Sequence, residues 1–399
     1  DKYGIDVNGY SVNFGTSVKR SRRVAKRLSK GIEYLLKKNK IEYIAGTASL
    51  KSATEVEVIG TKGKKKTIIQ SDNVIIATGA RNREVPGLET DGKRVISSKE
   101  AMVLDDIPKS MIIIGAGAIG AEFASFYSEY GTEIHLVEML PELLPVEDVD
   151  ISKLLKKLFE ERGMNVHNSA KVDKIECLKT KVKVNVTKEG RKEVLEAQLA
   201  LLAIGVQGNV ERLGLKKVGV NVNKSYIQVN DVCQTSVPSI YAIGDVIGPP
   251  WLAHVASAEG RVAVEHICGK EPEPLNYGNI PGCTYCRPQV ASVGMTEKAA
   301  KDAGYTIKIG RFPMRASGKA LALGETEGFV KVIFDEKYGE LLGCHIIGPE
   351  ATELIAEAGA VRTLETTHEE VLRTVHAHPT ISESFMEAVA DAYDEAIHI

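Results

Sequence analysis

Residues Ser110 to Ala124 read Ser-Met-Ile-Ile-Ile-Gly-Ala-Gly-Ala-Ile-Gly-Ala-Glu-Phe-Ala, and glycines in Gly-x-Gly-x-x-Gly spacing suit a dinucleotide. Gly115 permits a tight turn, Gly117 lets a pyrophosphate approach the backbone, and Gly120 lets the next helix pack closely on the strand before it. The anion would rest on the free amides and positive dipole end of that helix. A glycine trio alone is weak; here its surroundings agree. Met111 to Ile114 is a short apolar run, as a strand covered on both faces requires. Ile119, Phe123, Phe126 and Tyr127 continue at helical spacing to Tyr130, Gly131 ends the helix, and Ile134 to Val137 makes a second strand. Glu138 closes it, about 20 residues beyond the last glycine, where a carboxylate binds ribose hydroxyls and repels a 2′-phosphate. The expected cofactor is NAD rather than NADP.

Two further strand ends carry chemistry. Val74-Ile75-Ile76 runs into the small-residue turn Ala77-Thr78-Gly79, and Ser239-Ile240-Tyr241-Ala242-Ile243-Gly244 delivers Asp245. Ligands of open α/β sheets bind at such carboxyl ends. The helix expected over Leu252 to Cys268 would turn the amides around Ala253 and His254 toward the same ligand; Asp245 as a helix cap is the competing reading. Of six cysteines, only Cys283 and Cys286 have redox or zinc spacing. They stand in a strand-like run from Cys283 to Val293 that would point the thiols to different faces, so neither a redox nor a metal role is expected.

These groups need elements to position them. The 399 residues suffice for two or three domains, and 43% hydrophobic with 26% charged residues excludes a disordered or collagen-like chain. A net charge of −2 recruits neither nucleic acid nor membrane, and no apolar run approaches the ~18 residues of a membrane span. A soluble, cytoplasmic protein is expected, or one of the mitochondrial matrix in a eukaryote. A basic amphipathic helix is expected over 17–38, with Val24, Leu28, Ile32, Leu35 and Leu36 as its buried stripe. Ile41–Ile44, Glu55–Ile59 and Lys66–Ile69 read as an antiparallel meander turning at Lys62-Gly63-Lys64. Beyond the glycine motif come a helix over 151–162, a strand at 164–166, strands near 172–175, 182–186 and 194–196, and a last strand over 200–204. From 277 onward, alternating strands and late helices predict an α+β unit.

The glycine motif, Ala77-Thr78-Gly79, Tyr241-Ala242-Ile243-Gly244-Asp245 and His376-Ala377-His378-Pro379-Thr380-Ile381-Ser382-Glu383 occur together in one chain. In that combination the sequence resembles the dihydrolipoamide dehydrogenases, of the flavoprotein disulfide reductase family, over essentially its whole length. The resemblance implies an α/β fold with two Rossmann-like nucleotide-binding domains, for FAD and NAD, and a C-terminal α+β dimerisation domain. It divides the chain into 1–87 and 207–276 (FAD), 88–206 (NAD) and 277–399 (interface). It implies NAD at Gly115, Gly117, Ile119, Gly120, Glu122 and Glu138, with Val172 beside the adenine and Gly205 closing the pocket. It implies FAD at Gly46, Thr78, Gly79, Asp245, Ala253 and His254. His378 would be the general base that takes a thiol proton and Glu383 the carboxylate that orients it. An imidazole near pKa ~6.5 is suited to that task at neutral pH. A cis His378–Pro379 bond would present the ring. The implied reaction is NAD-dependent oxidation of protein-bound dihydrolipoamide by a homodimer serving the lipoyl domains and core of a 2-oxoacid dehydrogenase or glycine cleavage complex.

One departure qualifies this. Family members open with their own Gly-x-Gly-x-x-Gly for the FAD pyrophosphate and a Cys-x-x-x-x-Cys dithiol, and neither pattern occurs in these residues. The expectation is therefore an incomplete FAD domain, weak FAD binding, and impaired or absent turnover with NAD binding retained. A non-catalytic NAD-binding or interaction module derived from the family is the alternative, and NADH oxidation by a small acceptor a third reading.

Overall fold

The computed structural model describes residues 4–61 and 65–399, so the turn expected at Lys62-Gly63-Lys64 lies outside the described residues. At its centre is a five-stranded sheet in the order Val95–Ser97, Leu199–Leu202, Ser110–Ile114, Glu133–Val137, Asn165–His167. Every pairing is parallel. Parallel neighbours need long crossovers, supplied here by the helices Ala118–Glu129 and Val149–Glu161. The side-chain alternation of the glycine strand divides its apolar run between two cores. Met111 and Ile113 pack with Tyr127, Leu136 and Leu155 under the helices. Ile112 and Ile114 pack with Val184, Val186 and Leu195 of an antiparallel three-stranded excursion, Ala170–Cys177, Val182–Lys188 and Arg191–Ala197. That excursion takes the place of a last helix, as the strand pattern over 172–196 predicts.

A second unit pairs Val74–Ile76 in parallel with Ile240–Ala242 and includes the helix Ala253–Ile267 and a meander of Gly46–Leu50, Glu55–Gly60 and Lys66–Gln70. The C-terminal unit is a five-stranded antiparallel sheet, Gly282–Thr284, Gln289–Gly294, Leu341–Gly348, Phe329–Asp335 and Ile307–Pro313, with the helices Ala351–Thr363 and Glu383–Asp391 packed on it.

Three expectations are corrected. The first meander strand is Gly46–Leu50 rather than 41–44. The turn between the first two strands, closed by the Lys51 amide on the Glu55 carbonyl and by the Ser52 hydroxyl, sets the register from Gly46↔Gly60 to Leu50↔Val56. The basic helix forms, as Phe14–Lys38 with Asn13 as its cap, but its apolar stripe is not buried. Val24, Leu28, Ile32 and Leu35 are 46%, 66%, 61% and 52% exposed. Helical periodicity makes one face apolar, whereas burial needs a covering surface, and no described element supplies one. Only Phe14 is buried, against Phe126, Tyr127 and Tyr130. Finally, 283–293 is two strands broken at the bend Tyr285–Pro288, where Arg287–Pro288 is cis.

The sheet unit and the nucleotide unit meet at a buried lysine. Lys331, fully inaccessible, places Nζ 2.8 Å from Asp148, 2.7 Å from Asp150 and 2.7 Å from Glu297. Asp148 is the cap of helix Val149–Glu161 and also accepts the Glu297 amide at 3.0 Å. Burial pulls the Lys331 ammonium down, but the three carboxylates outweigh it and raise its pKa above 10.5. Burial likewise pushes the Asp148 carboxyl up, and Lys331 with the amides of Glu297 and Asp150 holds it below 3.8. The aspartate thus contributes stability that is present above its unfolded pKa and lost as pH falls through the folded value. The lysine's contribution is complete below 10.5 and lost as pH rises through its raised value. Lys331→Met is expected to cost about 3–5 kcal/mol at pH 7, because it leaves buried carboxylates unpaired. It should also flatten stability loss at both pH extremes. Urea unfolding across pH checks this; a loss under about 1 kcal/mol would show the cluster to be energetically idle.

Candidate nucleotide clefts and a histidine–carboxylate pair

The glycine turn is built as its spacing predicts. Gly115 has φ +98°, and a Cβ there would stand 2.4 Å from the Ala203 carbonyl oxygen; one at Gly120 would stand 1.9 Å from that of Gly115. Chain packing therefore fixes both. Gly117 differs: a Cβ there would meet nothing within 4 Å, so the missing side chain leaves room for a ligand. Gly117 also begins helix Ala118–Glu129 with no side-chain cap, which leaves its first amides free. A cavity of about 410 Å³ opens here, lined by Gly115, Gly117, Glu138, Val172, Ala203 and Arg83. Glu138 is buried, accepting the Ala116 amide at 2.7 Å through Oε2 and the Leu140 amide at 2.9 Å through Oε1. These bonds fix the carboxylate plane and leave each oxygen a lone pair for a ribose hydroxyl.

Not every expected residue lines that cavity. Gly205, at φ +95° with open space at its Cβ position, lies in an adjoining cavity of about 680 Å³. Ile119 and Glu122 open onto a third, apolar one of about 570 Å³ with Phe14, Phe123, Phe126 and Tyr285. Glu122 accepts the Tyr285 amide at 2.9 Å, and burial raises its carboxyl pKa.

The second cleft lies at the ends of Val74–Ile76 and Ile240–Ala242. Thr78 is clamped to Asn209: its hydroxyl donates to the Asn209 carbonyl and its own carbonyl accepts Asn209 Nδ2, both at 2.9 Å. Gly79 follows at φ +68° with open space at its Cβ position. Asp245, in the turn Gly244–Val246, caps no helix and has no hydrogen-bond partner among the described residues, and burial raises its pKa. Helix Ala253–Ile267 packs on that turn and begins without a side-chain cap, leaving the amides of Ala253 and His254 for a ligand. An unpartnered carboxylate, an open glycine and an uncapped helix start fit the polyol and pyrophosphate of FAD. Gly46 has a packing reason of its own, since a Cβ there would stand 2.6 Å from the Ile59 carbonyl oxygen. His254 Nε2 donates to the Pro281 carbonyl at 3.0 Å.

Sequence reasoning missed Glu259, which is 2% exposed and accepts the Gly244 amide at 2.7 Å and the Tyr277 hydroxyl at 2.8 Å, holding the Asp245 turn. A carboxylate on the same helical face as Val255, Val262 and Ala263 was the available signal.

The third group stands apart. His378 Nδ1 is 2.9 Å from Glu383 Oε1, and Glu383 Oε2 accepts the Thr380 amide at 2.8 Å. Burial pushes the Glu383 carboxyl up, but that amide and the imidazole outweigh it and lower its pKa. His378–Pro379 is cis, as expected, and the ring is 78% exposed. No hydrogen bond or ion pair joins this pair to either cleft within the described residues of one chain. All six cysteines are unpaired. Cys286 lies in the bend, buried, its thiol pushed up to about 12 chiefly by that burial. Among the described residues no acid, histidine and cysteine cluster could hold a metal, and no helix is long and apolar enough to cross a membrane.

Two clefts on parallel strand ends, with a separate antiparallel unit bearing an imidazole–carboxylate pair, give the architecture of the two-nucleotide oxidoreductases. The chain belongs to the pyridine nucleotide-disulphide oxidoreductase family: that family's model matches residues 7–260, and its dimerisation domain matches 280–389. FAD and NAD are the cofactors of this flavoprotein class. Similar curated proteins include a dihydrolipoyl dehydrogenase of Chlorobaculum tepidum, 46% identical over 98% of this chain and 84% of the relative. Another, of Bacillus subtilis, is 40% identical over 100% of this chain and 86% of the relative. Among solved structures, LpdA from Mycobacterium tuberculosis superposes with a TM-score of 0.89 at 28% identity, covering 96% of this chain and 84% of that one. The HOCl-induced flavoprotein disulfide reductase RclA from Escherichia coli gives 0.86 at 25%, covering 95% and 86%.

Glu138→Ala is expected to weaken NADH binding about tenfold, the scale of one charge-assisted hydrogen bond, and to narrow the preference for NADH over NADPH. Parallel titrations with both nucleotides check this; equal affinities in the unmodified protein would remove Glu138 from cofactor choice.

Proposed function

We propose that this chain serves NAD-dependent oxidation of protein-bound dihydrolipoamide, with the imidazole of His378 as the base. The observation that carries the reading is the His378–Glu383 pair, found in a chain alike over nearly its whole length to proteins named dihydrolipoyl dehydrogenase. Glu383 accepts from Nδ1, which keeps the ring proton there and leaves Nε2 as the acceptor. Nε2 takes the proton of a substrate thiol, and the carboxylate steadies the imidazolium that results. Overall the two substrate thiols join as a disulfide and lose two protons and an electron pair; with FAD and NAD bound, the pair passes by way of FAD to NAD as a hydride equivalent, and the second proton leaves to solvent. Gly117 and the amides after it hold the NAD pyrophosphate, with Ile119, Gly120, Glu122, Glu138, Val172 and Gly205 around the rest of that cofactor. Gly46, Thr78, Gly79, Asp245, Ala253 and His254 bind FAD. In this reading residues 1–87 and 207–276 form the FAD domain, 88–206 the NAD domain and 277–399 the interface of a homodimer.

None of the six cysteines fits the redox dithiol. No two are separated by four residues, and burial, first among its causes, raises the Cys283 thiol as it does Cys286. Thiol–disulfide exchange is therefore assigned to no residue of this sequence. An exposed imidazole suits a substrate carried on another protein, which supports lipoyl domains of a 2-oxoacid dehydrogenase or glycine cleavage complex as partners; a cytoplasmic place of action belongs to the same reading. In lipoamide-active, FAD-loaded protein, His378→Gln is expected to lower turnover by about 10²–10⁴ while NADH affinity stays unchanged. Stopped-flow turnover beside NADH titration checks this, and wild-type rates in the variant would remove His378 from the mechanism.

A further inference from the structure

At the rim of the dinucleotide cavity stands an exposed arginine with no protein partner. Arg83 stands between two cavities, lining the 410 Å³ one together with Gly115, Gly117 and Glu138 and also the adjoining one of about 680 Å³. Its amide donates to the Gly205 carbonyl at 3.0 Å. Its guanidinium makes no hydrogen bond or ion pair with any described residue, whereas Arg81, two positions earlier, is held by Glu211 at 2.7 and 2.9 Å. Gly205 lies two residues after Ala203, whose carbonyl fills the space where a Gly115 Cβ would be. Arg83 thus leaves the backbone beside the glycine turn, bounding the cavity onto which the uncapped helix start opens. Of the other charged groups there, Glu138 has both oxygens engaged by amides. Lys171 stands next to Val172, with its ammonium 4.0 Å from Asp173.

We propose that Arg83 is a binding residue for the dinucleotide's pyrophosphate, completing an anion site whose other half is the helix start at Gly117. The inference rests on reading this cavity as the NAD site and deepens it. A guanidinium presents a planar fork of donors matched to phosphate oxygens. A helix N-terminus presents fixed amides and a partial positive charge. The two together neutralise a doubly charged bridge that the helix alone meets only in part. Arg83 contacts the bridge equally before and after hydride transfer, so it contributes uniform binding and shifts KM rather than kcat.

The test uses the full chain and titrates NADH, ADP-ribose and adenosine into the wild type, Arg83→Gln, Arg83→Lys and Lys171→Gln. The expected result for Arg83→Gln is an NADH and ADP-ribose affinity lowered about tenfold, adenosine unchanged, and a shallower dependence of affinity on salt. Arg83→Lys should recover part of the loss and Lys171→Gln should show little. The proposal is overturned if Arg83→Gln binds NADH as the wild type does, if adenosine weakens in parallel, or if Lys171→Gln carries the larger effect. A wild type that binds no NADH would instead sink the NAD reading of the cavity, and the Arg83 assignment with it.

Discussion

The arrangement of this protein depends on one ammonium group out of water. Lys331 reaches from the antiparallel sheet into three carboxylates, two of them at the start of helix Val149–Glu161 and the third at the start of Glu297–Asp302. A lone buried cation would be intolerable; the C-terminal unit supplies one counter-charge of its own, Glu297, and the nucleotide unit supplies the other two. Glu147, next in sequence, extends the joint: it accepts the Ser292 hydroxyl at 3.0 Å and lies 3.9 Å from buried His345. The apolar core is continuous across the same seam, where Cys286, Val290 and Ile347 pack among residues of the nucleotide unit.

The two clefts lie at the ends of parallel strands, one in each nucleotide unit. In both, glycines with open space at their Cβ positions and helix starts without caps leave backbone facing the cleft, and one carboxylate stands beside it. The two carboxylates are held oppositely. Glu138 is locked by amides on both oxygens, which suits fixed recognition of a sugar edge. Asp245 has no partner and is held in place through its backbone by Glu259, which suits a flexible polyol.

Most of the fold was legible because local rules and tertiary structure agreed. The run Met111–Ile114, the glycines after it, Glu138 and the strand into Asp245 all stand where their spacing places them. Where sequence failed, the missing information was long-range. The stripe Val24, Leu28, Ile32 and Leu35 announced an apolar face but not whether anything lies over it. The bend after Cys283 depended on docking against Glu122 and Ser125, far away in sequence. Glu259 and Arg83 carried no motif; one became visible through a buried bond to Gly244, the other through a cavity wall.

The Tyr285–Pro288 bend, which carries Cys286, ties two units together. Its amides at Tyr285 and Arg287 donate to Glu122 and Ser125 on the helix that begins at the glycine turn, and the Arg287 carbonyl accepts from Arg162 at the end of the neighbouring helix. The antiparallel sheet therefore holds the glycine helix by its flank. The direction in which the glycine helix presents its uncapped start to the cavity is thus fixed by bonds from two units and not by the nucleotide unit alone.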